Sequence, residues 1–401
     1  MLQDFDLEKL VEPLLEWFQE NARILPWRES PTPYRVWVSE IMLQQTRVEA
    51  VKPYFERFTK ELPEVTALAT CEEEKLLKLW EGLGYYNRVR NMQVAAKTVM
   101  EEYNGILPAD YEALLKLKGI GSYTAGAIAS IAYQIPVPAV DGNVLRVISR
   151  VTGDYSDIMK QSVRTEMERA LKNIMPQNRA GAFNQALMEL GATVCVPNGA
   201  PSCEKCPWQN FCVANLQNCW QEIPVKTKAK VRRIEEKTVF IIRDGEKIVL
   251  HKRPARGLLA GLYEFPNTTG HLTEEEALAW VKKHKLSPLR IQKLEPAKHI
   301  FSHVEWHMQG YMIRVDELTQ DKSGMFFVDV KDSEENYPIP AAFGAYTKYM
   351  NIRLGNEKFE YMSKTLCMLQ GVFMKKIMSK SEVSLYLRED LAVRQGYEKD
   401  F

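Results

Sequence analysis

Hydrophobic residues along this chain change their rhythm near residue 220. Before that point apolar positions recur at the three-to-four spacing that gives a helix one buried stripe. The segment "LVEPLLEWF" is amphipathic in this way, and "RVWVSEIMLQQTRVEAVKPYFERF" continues it at greater length. In "EEEKLLKLWEGLGYYNRVRNMQVAAKTVMEEY", Leu76, Leu79, Trp80 and Leu83 keep helical spacing until Gly84 breaks it. Short helices punctuated by Pro and Gly predict an all-α bundle over residues 1–218.

After it comes "QEIPVKTKAKVRRIEE", with Lys226, Lys228, Lys230, Arg232 and Arg233 and little apolar content. Residues 219–236 read as a basic linker, either a solvated tether or a phosphate contact. Two β-branched runs then flank Asp244-Gly245 in "KTVFIIRDGEKIVLHKR", a hairpin signal. In "TEEEALAWVKKHK", Thr273 and Glu276 form a capping box that starts a helix. The stretch "HIFSHVEWHMQGYMIRV" returns to strand, which puts His299, His303 and His307 on one face with Phe301 and Glu305. Residues 237–350 therefore predict an α+β domain. Residues 351–401 carry no clear motif, although "LCMLQGVFMKKIM" has the pattern of an amphipathic helix.

Composition adds bounds. The 401 residues are 45% hydrophobic and 26% charged, as in ordinary globular domains. No apolar run approaches the roughly 20 residues that span a bilayer. "MLQDFDLEKL" lacks the basic flank and apolar stretch of a signal peptide, so the expected location is the cytoplasm, with no membrane partner. A net charge of +1 neither announces nor excludes a nucleic-acid binder, because local patches make phosphate contacts. Of the seven cysteines, Cys195, Cys203, Cys206 and Cys212 fall within "CVPNGAPSCEKCPWQNFC". In a reducing compartment that clustering argues for metal rather than disulfides.

The spacing C-x7-C-x2-C-x5-C can close a tetrahedral zinc site or hold the corners of an iron–sulphur cube, and spacing alone does not choose. Cys219 follows as a spare. In "LKGIGSYTAGAI", Gly119 and Gly121 allow a tight turn with φ > 0 before a small-residue helix. The free N–H groups there make either an anion site or a plain helix–helix turn. "PVPAVDGNVLRVISRV" delivers Asp141 to a helix start, where a capping role is the ordinary one. Glu40 is in a position usually filled by a solvated helix residue, but Val38, Ile41 and Met42 beside it are apolar, which leaves open a partly buried carboxyl with a raised pKa.

Together and in this order, these signals resemble the helix-hairpin-helix superfamily of base-excision DNA glycosylases. "LKGIGSYTAGAI", "VPAVDGNVLRV" and the four-cysteine loop match its iron–sulphur branch. "LPWRESPTPYRVWVSEIMLQQTRV" and "GLGYYNRVRN" are similar to the MutY family of adenine DNA glycosylases. The resemblance runs from about residue 14 to 350. It implies a 4Fe–4S cluster on Cys195, Cys203, Cys206 and Cys212. One departure is the first cysteine gap, one residue longer than the family's usual six. The implied substrate is double-stranded DNA with adenine opposite 8-oxoguanine, bound by a monomer. Gly119 and Gly121 would grip the DNA backbone. Glu40 would be the catalytic acid and Asp141 the catalytic aspartate, with Asn143, Glu189 and Arg28 lining the adenine pocket. Gln45, with Thr46 beside it in the "QQT" wedge, and Tyr85 would fill the gap in the base stack or probe the partner base. Tyr123 stands where related lyases carry a nucleophilic lysine, and is expected on the Asp141 side of the pocket.

The second domain resembles the MutT-like (Nudix-fold) domain that ends this family, through "RGLLAGLYEFP". "LTEEEALAW" lacks the acidic box that binds magnesium in true Nudix hydrolases, so triphosphate hydrolysis is not expected. Phe301, Ser302 and His303 match the family's loop that recognises 8-oxoguanine. The alternatives are an endonuclease III-like glycosylase/lyase, which wants a lysine at position 123, and an iron–sulphur DNA-binding or redox-sensing protein.

Overall fold

The computed structural model describes residues 5–227, 231–318, 325–355 and 357. The segment "LCMLQGVFMKKIM" and residues 228–230 of the basic stretch lie outside them.

The first domain is helical: α1 (Val11–Asn21), α2 (Pro26–Glu29), α3 (Pro33–Leu43), α4 (Val48–Glu61), α5 (Val65–Thr70), α6 (Glu73–Leu79) and α7 (Asn87–Glu102). Then follow α8 (Tyr111–Lys116), α9 (Ser122–Tyr133), α10 (Gly142–Thr152), α11 (Gln161–Asn173), α12 (Ala180–Thr193) and α13 (Val213–Leu216). Its apolar stripes build two cores rather than one. Trp37, Phe55, Phe58 and Trp80 anchor the first, made by α2 to α9. Leu14 of α1 crosses the chain to join Val147, Phe183, Leu187 and Trp208 in the second. Each such side chain contributes about 1.5–3 kcal/mol on burial. A cleft runs between the cores, and α9 spans it by packing on both α3 and α12. Gly181 lets α12 approach α9, and Gly126 lets α9 approach the segment before α10. A Cβ there would sit 2.2 Å from the Pro138 carbonyl, in the extended run that leads to Asp141.

The second domain is one mixed sheet. Its strands are β1 (Arg233–Asp244), β2 (Lys247–Lys252), β3 (Tyr263–Glu264), β4 (Asn267–Thr269), β5 (Pro288–Ile300), β6 (Val304–Val315) and β7 (Met325–Asp329). The order is β3-β2-β1-β6-β5, with β4 on β1 and β7 on β2. Among the described strands, β1 and β6 alone pair in parallel. Asp244 and Lys247 face each other across the turn, where Gly245 takes φ 55°. Helix α14 (Glu274–Lys283) opens with the Thr273–Glu276 capping box. It covers the face on which Phe240 stacks on Trp280 at 4.3 Å. Two boundaries differ from the sequence reading. Strand β1 starts at Arg233, because its first residues pair with β6 from Val304 onward. Beyond residue 350, Ile352 and Leu354 are buried in the same core as Phe343 and Tyr346.

The two domains meet around Glu81, which is buried after α6. Its carboxylate accepts from Ile339 N at 2.8 Å, Gly355 N at 3.0 Å and Lys78 Nζ at 2.9 Å. Glu74 adds bonds to Lys252 and Tyr263, and Arg90 donates to the Ala260 carbonyl. No described helix is long and apolar enough to cross a membrane.

Candidate active site

The cleft between the helical cores holds a cavity of about 530 Å³. Glu40, Arg28, Gln45, Thr46, Tyr123, Asp141, Asn143 and Glu189 all border it. They come from both walls. Helix α3 is buried from Val36 to Met42 and carries Glu40 inward with it. Helix α9 brings Tyr123 opposite, and its hydroxyl donates to Glu40 Oε2. This corrects the placement of Tyr123 toward Asp141: packing of α9 on α3 aims the phenol at the glutamate. Burial pushes the Glu40 carboxyl up to about 7, with the Asp141 charge adding to it and the Tyr123 bond opposing.

Asp141 caps α10. Its Oδ1 accepts from Val144 N at 2.8 Å, and its Oδ2 from Asn143 Nδ2 at 2.7 Å. Asn143 is itself held by Arg146, whose Nη2 donates to Asn143 Oδ1 at 2.8 Å and to the Gly191 carbonyl at 2.8 Å. Arg146 Nε reaches the Cys195 carbonyl at 2.9 Å. Burial raises the Asp141 carboxyl, and these N–H donors and the Arg146 charge pull the other way. Glu40 accepts one bond from a phenol, while Asp141 accepts several at the positive end of a helix. These donors and the helix start favour the anion at Asp141 more than the single phenol bond does at Glu40.

Glu189, buried on α12, accepts from Arg23 Nε at 2.6 Å and from Arg28 Nη2 at 2.9 Å. Burial alone would raise its carboxyl, but the two guanidinium groups outweigh that and hold it below the usual range. Arg28 Nε also donates to Gln185 Oε1 at 3.0 Å. Sequence reasoning missed Arg23, Gln185 and Arg146. Arg23 meets Glu189 across 166 residues, and no local pattern marks such a pair.

Tyr85, Phe301, Ser302 and His303 line a different cavity, of about 720 Å³, between the two domains. There the Tyr85 and Ser302 hydroxyls lie 3.0 Å apart. Phe301 to His303 form the tip of the β5–β6 hairpin, not part of one continuous strand. The turn puts His299 on β5 opposite Trp306, and His307 on β6 opposite Lys298, which breaks up the expected histidine face. Phe301 N closes the turn on the Val304 carbonyl at 2.8 Å.

The hairpin glycines also divide. Gly119 has φ 80°, while Gly121 is extended at φ −97° and occupies the N-cap of α9. A Cβ on Gly121 would meet open space. Ser122 in the first turn donates to Glu168 at 2.9 Å.

Cys195, Cys203, Cys206 and Cys212 border one small cavity with Arg150 and Trp220. Arg150 Nη1 lies 3.3 Å from Cys195 Sγ. Among the described residues no three His, Cys, Asp or Glu side chains gather closely enough to hold a single metal ion.

A model of the HhH-GPD superfamily of base excision DNA repair proteins matches residues 38–173, and a NUDIX domain model matches residues 238–349. The adenine DNA glycosylase of Buchnera aphidicola subsp. Acyrthosiphon pisum is 33% identical over 308 residues, covering 77% of this chain and 87% of its own length. That of Mus musculus is 36% identical over 362 residues, covering 76% of this chain and 70% of its own. A solved thermostable thymine-DNA glycosylase aligns with 52% of this chain and 97% of its own, at 26% identity and a TM-score of 0.47. With a helical HhH-GPD core, a Nudix-like sheet domain behind it and relatives of this identity and coverage, the chain belongs to the family of adenine DNA glycosylases, base-excision repair enzymes that remove adenine from DNA.

Proposed function

We propose that this enzyme removes adenine paired with 8-oxoguanine, using Glu40 as acid and Asp141 as anion. The observation that carries the reading is the pair itself: a buried Glu40 and a half-buried Asp141 on one cavity, the first bonded by a phenol and the second by N–H donors at a helix start. Adenine must first leave the duplex, at a cost of about a few kcal/mol in unstacking. Protonated Glu40 then donates to N7, so that the base departs neutral; such acid catalysis contributes roughly 10²–10⁴-fold. Electrons left on the glycosidic bond go with the base, and the sugar becomes oxocarbenium-like. Asp141 as the carboxylate, its oxygens accepting from Val144 N and Asn143, stabilises that cation or captures it covalently until water adds and gives its proton to the Glu40 carboxylate.

Tyr123 supports a monofunctional enzyme. Its hydroxyl is engaged by Glu40, and among the described residues no lysine lines the cavity. An amine nucleophile for strand cleavage is missing from the place it would need to be. Ser302, exposed at the hairpin tip and bonded to Tyr85, supports partner reading: a hydroxyl can pair with the N7–H and O8 edge that distinguishes 8-oxoguanine from guanine.

The four cysteine side chains fit a 4Fe–4S cluster. They border one cavity beside the Arg150 cation, which supports four thiolates holding one group there. When bound, the cluster supplies a covalent tie from the 195–212 loop to the start of α13. Purified protein should be brown, with visible absorption; a colourless zinc protein would correct the cofactor.

The test is single-turnover adenine release from duplexes with adenine opposite 8-oxoguanine, guanine and thymine. Asp141→Asn should end release on all three while DNA is still bound. Unchanged release by that variant, or equal rates on the three duplexes with wild type, would sink the reading. Borohydride trapping at full turnover would sink the monofunctional part.

A further inference from the structure

Arg88, at the start of α7, carries a half-buried guanidinium whose hydrogen bonds, among the described residues, go to carbonyl groups. Its Nη1 donates to the carbonyls of Ile41 at 2.8 Å, Met42 at 3.2 Å and Gln44 at 2.6 Å. Its Nη2 donates to those of Leu83 at 3.0 Å and Gly84 at 3.1 Å. Among the described residues no carboxylate bonds to it, and burial pushes its pKa down to about 10. The cation also lies over the rings of Trp80 and Tyr85, 5.3 and 5.6 Å from their centroids.

The two groups of carbonyls belong to segments far apart in sequence, the first being the last turn of α3 together with the loop after it. That loop carries Gln45; the other segment is the loop that follows α6 and carries Tyr85. Both residues are non-glycine and both are left-handed, at φ 59° and φ 47°. Such backbones cost energy and persist where surrounding structure imposes them. The Gln44 carbonyl belongs to the peptide plane immediately before Gln45, and the Gly84 carbonyl to the plane immediately before Tyr85. One amino group of the same guanidinium holds each plane. Both side chains are exposed, so neither is held by packing in a core.

We propose that Arg88 is a positioning residue for base extrusion: its planar fork locks the two loops at one spacing, so that Gln45 and Tyr85 are presented to DNA as a preformed pair. The inference rests on the reading that these two residues fill the stack and probe the partner base. Arginine suits the task because its two terminal nitrogens serve different loops at a fixed separation. A lysine ammonium is a point donor and cannot hold both planes in the same way.

The experiment uses full-length Arg88→Lys and Arg88→Gln, each checked by thermal melting. Three quantities are read: single-turnover adenine release opposite 8-oxoguanine, the fluorescence rise of 2-aminopurine placed as the target base, and affinity for a duplex with a tetrahydrofuran site opposite 8-oxoguanine. In that last duplex nothing remains to be extruded. Expected is a fall of roughly tenfold or more in release with loss of the fluorescence rise, because small misplacement is costly to rate. Affinity for the tetrahydrofuran duplex should change by less than about threefold. Unchanged release, an equal fall in release and affinity, or failure of both variants to fold would overturn the proposal and leave Arg88 a purely structural residue. Gln45→Ala and Tyr85→Ala separate the two levels. If neither disturbs extrusion, the reading of those probes fails; if they do and the Arg88 variants do not, this inference fails alone.

Discussion

Replacing Glu40 with glutamine should stabilise the protein above neutral pH while ending adenine release. Glu40 is buried, and its carboxyl rises from about 4.5 in an unfolded chain to about 7 in the fold. Between those values the folded protein holds a proton that the unfolded chain has lost. Stability therefore declines as pH rises through that window, and is constant again above about 7. Over an interval of about 2.5 pH units, at about 1.4 kcal/mol each, the loss is roughly 3 kcal/mol. Glutamine never ionises, and its carbonyl can still accept from Tyr123. Wild type and Glu40→Gln should thus differ little near pH 4.5, and the variant should be more stable at pH 8 by roughly 3 kcal/mol. For a helical domain of this size that is a gain of roughly 6–12 °C in melting temperature. The assay is thermal unfolding of both proteins at pH 5 and pH 8 in matched ionic strength. A variant that gains nothing between the two pH values, or loses stability at pH 8, would refute the account of Glu40 as a carboxyl held neutral by burial.

Three further outcomes are expected. With Glu40 as the proposed acid, the single-turnover rate should fall about tenfold per pH unit above about 7; a flat profile from pH 6 to 9 would remove Glu40 as the acid. Glu81→Ala should leave the Ile339 and Gly355 N–H groups without their acceptor, at roughly 1–3 kcal/mol each. It should speed proteolysis between the domains and weaken discrimination of 8-oxoguanine from guanine; unchanged proteolysis and discrimination would show that the clasp is idle. Gly126→Ala should lower the melting temperature and slow release together, since the new methyl meets the Pro138 carbonyl and presses on the run before Asp141. An unchanged melting curve would contradict that close packing.

What local chemistry decides was legible in the chain. Apolar spacing marked the helices, Asp244-Gly245 made its hairpin, Thr273 and Glu276 made their capping box, and Asp141 stands at the helix start its neighbours predicted. Each rests on groups a few residues apart, so propensity and hydrogen bonding within one turn suffice. Only tertiary structure decided the rest. It joined Tyr123 to Glu40 across 83 residues, and Arg23 to Glu189 across 166. It folded Phe301 to His303 into a hairpin tip, where alternation alone had suggested a continuing strand. It also set one guanidinium, Arg88, between two distant loops. Burial is what selects these partners. A buried charge or donor must find a mate wherever packing delivers one, and packing is a property of the whole fold rather than of any stretch of sequence.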